Sequence, residues 1–230
     1  WIPVHAGQDG AFWMAAVHVI LRDFHAAGKA PAFTEYLSRY TDAPFLVRLD
    51  ERDGALSPGR LLKASELERT AGAENAAFKH LVWDGRTGSP RMPLGSLGFR
   101  WQSKKGEWNL QMKDGLDGEP IEPTLSFLER HDAVREVAFA DFAEGRTLRR
   151  GVPVKVVQTP AGPVTVATIY DLLLAQFGVA RGLPGAWPAG DDDADAPYTP
   201  AWQERFTGVD RRDVVRFAQK ACSNVHILRL

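Results

Sequence analysis

Between residues 11 and 25 the chain reads AFWMAAVHVILRDFH. At 100° per residue, Phe12, Trp13, Ala16, Val19, Ile20 and Phe24 spread over most of a helical circumference. His18, Arg22 and His25 are left as one narrow polar stripe. A helix apolar on so many sides is expected inside something large. Gly28, Lys29, Ala30 and Pro31 break it, and AFTEYLSRY restarts a helix with Phe33, Tyr36, Leu37 and Tyr40 on one face, so two antiparallel or crossed helices are expected. Ahead of both, WIPVHA at residues 1–6 reads as the end of a strand whose exit Pro3 fixes.

The period then changes. After Thr41 and Asp42, which favour a local turn, Pro44 opens a run of β-branched and aromatic residues that Arg52, Asp53 and Gly54 close. Residues 55–135 hold short β-like pieces, HLVWD, LGFRWQ and EWNLQMK, punctuated by turns at Asp84–Gly85, Asp114–Gly115 and Asp117–Gly118. Trp83, Trp101 and Trp108 are placed to form an aromatic cluster across these strands, packing a small sheet. A helix-like patch at Phe139–Glu144 leads to two strands, VPVKVVQT and PVTVAT, joined by a Pro-Ala-Gly-Pro turn. Thr168 is placed to cap the helix IYDLLLAQF, which Gly178 ends. Residues 179–200 form a loop rich in Pro, Gly and Asp, followed by two short helices around a Thr207–Gly208 stop, the second capped by Asp210. The order of elements predicts a mixed α/β core.

Composition narrows the class. In 230 residues the hydrophobic share of 44% and charged share of 25% are ordinary for a globular protein. A formal net charge of −1 argues against a nucleic-acid partner, which demands a basic excess. No apolar run approaches the roughly 18 residues of a membrane span, so no direct membrane insertion is expected. The single cysteine, Cys222, excludes an internal disulfide framework and any four-thiolate iron–sulfur site within these residues.

Three groups of residues carry candidate chemistry. In the turn GQDG, Gly7 and Gly10 let backbone approach a ligand, and the open N–H groups of the following helix suit an anion. Asp9 has two readings, a helix cap or a carboxylate accepting the paired donors of a guanine edge. His18, Arg22 and His25 have metal-like spacing, but the Arg22 cation between two imidazoles repels a metal ion, so a solvated or cluster-facing stripe is expected. The run Asp191, Asp192, Asp193 and Asp195 lacks the Gly and terminal Glu of a calcium loop, and a solvated loop is expected there. No P-loop, zinc motif or Ser-His-Asp order occurs.

Five runs together resemble one family. GQDGAFWMAAVHVILRDFH, YLSRYTDAPFLVRL, GSLGFRWQSKKGEWNL, TIYDLLLAQFGVARGLPG and YTPAWQERFTGV, in that order over about residues 1–219, are similar to the molybdopterin oxidoreductases. Within them, the likeness is to alpha subunits of membrane-bound nitrate reductases and nitrite oxidoreductases. GQDGAF, RGVPVKV and GVARGLPG lean toward the nitrite oxidoreductase branch. The resemblance implies an α/β fold, a fragment of a Rossmann-like molybdopterin-binding scaffold with a small β-rich insertion. Residues 1–54 would be part of the dinucleotide-binding domain, 55–150 the insertion, 151–219 the return to the scaffold, and 220–230 an atypical end.

It also implies a molybdenum bis(molybdopterin guanine dinucleotide) cofactor and a 4Fe-4S cluster, with the molybdenum and cluster ligands outside these residues. Gly7, Gln8, Asp9 and Gly10 would contact the dinucleotide. The implied reaction is oxygen-atom transfer between nitrite and nitrate. The implied partners are an iron–sulfur beta subunit and a membrane-anchor subunit, on the cytoplasmic side of the membrane or, as in some relatives, the periplasmic side. With no initiating Met, the chain is expected to be an internal fragment, inactive alone. Perchlorate, chlorate or selenate reduction, or a non-catalytic α/β binding module, are the alternatives.

Overall fold

The computed structural model describes residues 1–29, 31–94 and 112–223. They form two compact units. The first takes in residues 1–31, 138–151 and 173–230, the second residues 32–137 and 152–172. Trp101, Trp108, the strand expected in LGFRWQ and all but Met112 and Lys113 of that expected in EWNLQMK lie outside the described residues, as do residues 224–230 of the atypical end.

The second unit is built on a closed barrel in the order β1 (Leu46–Arg52), β2 (Ala55–Leu61), β5 (Ala133–Ala140), β6 (Thr147–Thr159), β7 (Gly162–Thr168). β1 and β2 are joined by Asp53 and Gly54, at φ of 50° and 73°, between the paired Arg52 and Ala55. A two-residue loop with both central φ positive twists in the same sense as its strands, so the expected turn becomes a hairpin. β6 and β7 pair through Thr159 and Gly162, and β7 also pairs antiparallel with β1. Leu56 of β2 pairs in parallel with Val137 of β5. A separate hairpin, β3 (Val82–Asp84) and β4 (Ser89–Arg91), turns at the expected Asp84–Gly85 step. There the buried Asp84 carboxylate accepts the N–H groups of Arg86, Thr87 and Glu122 and the hydroxyl of Thr87.

Leu46, Leu62, Leu81, Met92, Phe127, Val157 and Val166 pack together as this unit's core, with Trp83 against them. The Trp83 ring meets Phe127 edge-on at 5.9 Å and carries the Lys155 ammonium 4.7 Å above it. Helix α2 (Pro31–Tyr40) ends where the Thr41 hydroxyl donates to the Leu37 carbonyl and the Ala43 N–H donates back to Thr41, the local turn expected at Thr41–Asp42.

The first unit is helical. α1 (Asp9–Ile20) packs with α4 (Pro200–Thr207) and α5 (Arg211–Ser223) through Phe12, Ala15, Ala16, Val19, Val209, Val214 and Ala218. The helix expected over 11–25 is α-helical to Ile20 and continues as a wider π-helical turn from Leu21 to Ala26. Gly208 ends α4 in the left-handed region at φ 72°, and Asp210 precedes α5 with its carboxylate on the Arg212 N–H. Helix α3 (Ile169–Gln176) begins in the residues of the second unit, where Thr168 caps it by accepting the Asp171 N–H at 3.0 Å.

Three expectations are corrected. Residues 1–6 form no strand; the His5 N–H instead donates to the carbonyl of Thr207. Phe139 lies in β5 and residues 142–144 form a turn, because the Asp141 N–H donates to the Arg146 carbonyl and closes the connection from β5 to β6 before a helix can extend. The segment 179–200 is not simply a solvated loop. Arg150 and Gly185 form an antiparallel bridge, with the Gly151 N–H on the Pro184 carbonyl at 2.6 Å and the Ala186 N–H on that of Arg149 at 2.9 Å.

Candidate functional site: a cavity at the start of helix α1

The turn before α1 is tied down at its near end. His5 donates its N–H to Thr207 and places Nδ1 3.0 Å from the Phe206 carbonyl, while Gln8 donates back to the His5 carbonyl at 3.1 Å. Gly7 closes this turn at φ 76°, which glycine adopts without strain. The helix then begins at Asp9, with Gln8 at the N-cap position and no side-chain cap. The expectation that Asp9 caps α1 is therefore corrected. A cap must stand one residue before the first helical residue, and Asp9 is that first residue. Its carboxylate is exposed beside the positive end of the helix dipole.

This turn borders a cavity of about 290 Å³. Gly7, Gln8, Gly10, Ala11 and Met14 form one wall, and Phe142, Ala143, Trp202 and Phe206 the other. Three of the four residues expected at the site, Gly7, Gln8 and Gly10, thus line it, and Asp9 is not among the lining residues. A Cβ built on Gly7 or Gly10 would meet no atom within 4 Å, so the backbone here faces open space.

The aromatic wall was not anticipated. Trp202 and Phe206 project from α4 at i and i+4, their rings 4.9 Å apart, and Tyr198 extends the row with its ring 5.4 Å from Trp202. Thr199 starts α4 by accepting the Trp202 N–H, with Pro200 at the first helical position. The signal for this was present in T-P-A-W-Q-E-R-F, whose aromatic pair shares one helical face. Trp202 is 1% exposed, and its indole Nε1 has no hydrogen-bond partner.

Of the polar stripe, His18 is buried and Arg22 and His25 are half-buried rather than solvated. His18 is 2% exposed, and Arg22 lies between Asp23 and Asp191, donating to both carboxylates. Burial works against the Arg22 charge, and these two carboxylates more than restore it, so its pKa is raised. The acidic run is also occupied. Asp191 holds Arg22, Asp192 pairs with Arg211 at 2.8 Å, and Asp193 accepts the N–H groups of Ala189, Asp195 and Ala196. Among the described residues no group of three His, Cys, Asp or Glu is arranged to hold a metal ion.

Comparison with known proteins gives the relationship. The chain is 40% identical over 236 residues to the respiratory nitrate reductase 1 alpha chain of Escherichia coli K12, with 97% of the chain aligned. The chain is homologous to nitrate reductase alpha chains. It is 38% identical to the nitrate reductase alpha chain of Bacillus subtilis 168 and 40% identical to the nitrate reductase alpha subunit of Mycobacterium tuberculosis H37Rv, again over 97% of its length. These relatives are nitrate reductase alpha chains, the group that the five runs resemble. The chain spans only 18% to 19% of the length of these relatives. No family model matches it. No helix among the described residues is long and apolar enough to cross a membrane.

Proposed function

We propose that this chain forms, within a longer molybdenum-containing catalytic subunit, a stretch of Rossmann-like scaffold and one part of a molybdopterin guanine dinucleotide pocket. The supporting observation is the cavity at the start of α1, where Gly7, Gln8 and Gly10 face an aromatic wall. Its volume lies just below the usual range of small-molecule sites, about 300–1,000 Å³, and suits one end of a dinucleotide rather than the whole. The residues fit such a group. Open glycine backbone and the first N–H groups of α1 suit a phosphate oxygen, and the Phe142 and Phe206 rings on the opposite wall suit a flat base.

In this reading Gln8 offers amide groups from the N-cap position, and the exposed Asp9 carboxylate accepts the paired donors of the guanine edge. The bound molybdenum cofactor would supply the oxygen-atom transfer between nitrate and nitrite. The two electrons of that transfer would pass through a 4Fe-4S cluster ligated elsewhere in the subunit, with an iron–sulfur beta subunit and a membrane-anchor subunit as partners. The complex would sit at the cytoplasmic face of the membrane. The division at residues 54/55 and 150/151 into scaffold and β-rich insertion concerns the domains of that longer protein.

The test is Asp9→Asn in the full-length subunit. The substitution puts an NH2 against guanine's own donors, a mismatch of roughly 1–3 kcal/mol. Guanine nucleotide and molybdenum content per polypeptide should fall while far-ultraviolet circular dichroism is unchanged. Full occupancy in the Asn variant would remove Asp9 from the pocket.

A further inference from the structure

The turn from Asp141 to Gly145 carries a phenylalanine in an unusual position. Phe142 is 62% exposed, although it touches the buried Tyr198 ring at 5.9 Å and lines the cavity. Exposed apolar rings are common on mobile loops, but this one is held. The Phe142 N–H donates to the Tyr198 hydroxyl at 2.9 Å. The Asp141 carboxylate accepts the Ala143 N–H at 2.9 Å and Arg146 Nε at 3.2 Å, and the Asp141 N–H donates to the Arg146 carbonyl at 2.8 Å. Glu144 is paired with Arg205 of α4, and Gly145 takes the φ of 68° that brings the chain back. The turn is fixed at both flanks while its ring is left uncovered.

Phe142, Tyr198, Trp202 and Phe206 form a continuous row of ring contacts, three of them on the cavity. Glycine backbone faces them across the cavity, with room for a flat ligand to approach closely. We propose that Phe142 is the outer wall of a subsite for one planar heteroaromatic ring, completing the aromatic face that Trp202 and Phe206 begin. This rests on the reading that the cavity takes one end of the dinucleotide, and it assigns that end as the base. A ring in that place covers the exposed face of Phe142, and stacking on an aromatic side chain tolerates any flat base.

The experiment uses the full-length holo-subunit carrying Phe142→Ala, Phe142→Leu or Phe142→Trp, beside Gly10→Leu, which fills the cavity from the opposite wall. Guanine nucleotide retained per polypeptide is followed over time after dilution and desalting, with thermal melting recorded for each variant. The expected result is loss of nucleotide about 10-fold faster in Phe142→Ala and Phe142→Leu. Phe142→Trp should match the parent, and Gly10→Leu should fail to hold nucleotide. If Gly10→Leu loses nucleotide and all Phe142 variants retain it, the Phe142 proposal is overturned and the cavity reading stands. If Phe142→Leu retains nucleotide while Phe142→Ala loses it, the wall acts by apolar cover and the ring proposal falls. If Gly10→Leu retains nucleotide, the cavity reading itself fails. A lowered melting temperature in Phe142→Ala with unchanged retention would mean that another stretch of protein covers the ring, and would also overturn the proposal.

Discussion

The imidazole of His18 donates from Nδ1 to the main-chain carbonyl of Phe177 at 2.6 Å, joining helix α1 to the residue that follows α3. Because a carbonyl only accepts, the proton of the neutral ring sits on Nδ1. Burial lowers the pKa of His18, the nearby cations Arg22 and Arg150 lower it further, and the Phe177 bond works the other way.

A pH prediction follows from that direction. The unfolded chain binds a proton on His18 at higher pH than the folded chain does, so stability rises with pH across the interval between the two values. The contribution of the neutral ring is complete above the ordinary histidine value of about 6.5 and is lost as pH falls through the lowered folded value. His18→Asn keeps a donor for the Phe177 carbonyl and does not titrate. Denaturant midpoints measured from pH 7.5 down to pH 5 should fall less steeply for His18→Asn than for the parent. Identical slopes would show that His18 is not the group responsible.

Arg150 is 1% exposed and donates Nε to the Ala186 carbonyl and Nη1 to those of Ala175 and Gln176. Burial lowers its pKa to about 10, and the guanidinium stays charged at neutral pH against the C-terminal end of α3. Arg150→Met should destabilise the first unit by roughly 2–4 kcal/mol, since the freed buried carbonyls each cost about 1–3 kcal/mol and partly recover with water. Equilibrium denaturation reads the loss; a change below about 0.5 kcal/mol would match an ordinary surface position instead.

Gly185 stands at φ 133°, and a Cβ there would lie 2.7 Å from the Arg150 Cα and 2.9 Å from the Arg149 carbonyl. Neither is a flexible side-chain end. Gly185→Ala should therefore force apart the 149–151 and 184–186 segments, lowering stability by about 2 kcal/mol or more from strain and lost pairing. Hydrogen exchange at the Gly151 and Ala186 amides would report the separation directly. Unchanged protection there would contradict the bridge.

In the second unit the buried Asp171 carboxylate accepts the Ser126 hydroxyl at 2.6 Å and the Phe127 N–H at 2.8 Å. Asp171→Ala leaves the buried Phe127 N–H without that acceptor and should cost about 2–3 kcal/mol, whereas Asp171→Asn keeps one acceptor oxygen and should cost less. The order of the two melting temperatures is the check, and equal melting temperatures would discount the bond.

What the sequence determined by itself was local. The hairpin at Asp53–Gly54, the cap at Thr168, the stop at Gly208 and the cap at Asp210 each follow from a residue type acting on backbone within a few positions of itself. The start of the cavity was legible for the same reason, since GQDG before an apolar run marks an open helix N-terminus wherever it occurs. What only the tertiary structure decided was every partnership across long separations. The stripe of His18 and Arg22 looked solvated because its partners, Phe177 and Asp191, lie 159 and 169 residues away. Phe142 was misassigned to a helix because the bonds of Asp141 to its own turn, and of the Phe142 N–H to Tyr198, leave no periodic trace. Asp9 illustrates the boundary between the two. Its position next to a helix start was readable, but whether it precedes the helix or begins it depends on how His5 is tied to Thr207, a contact made across the fold.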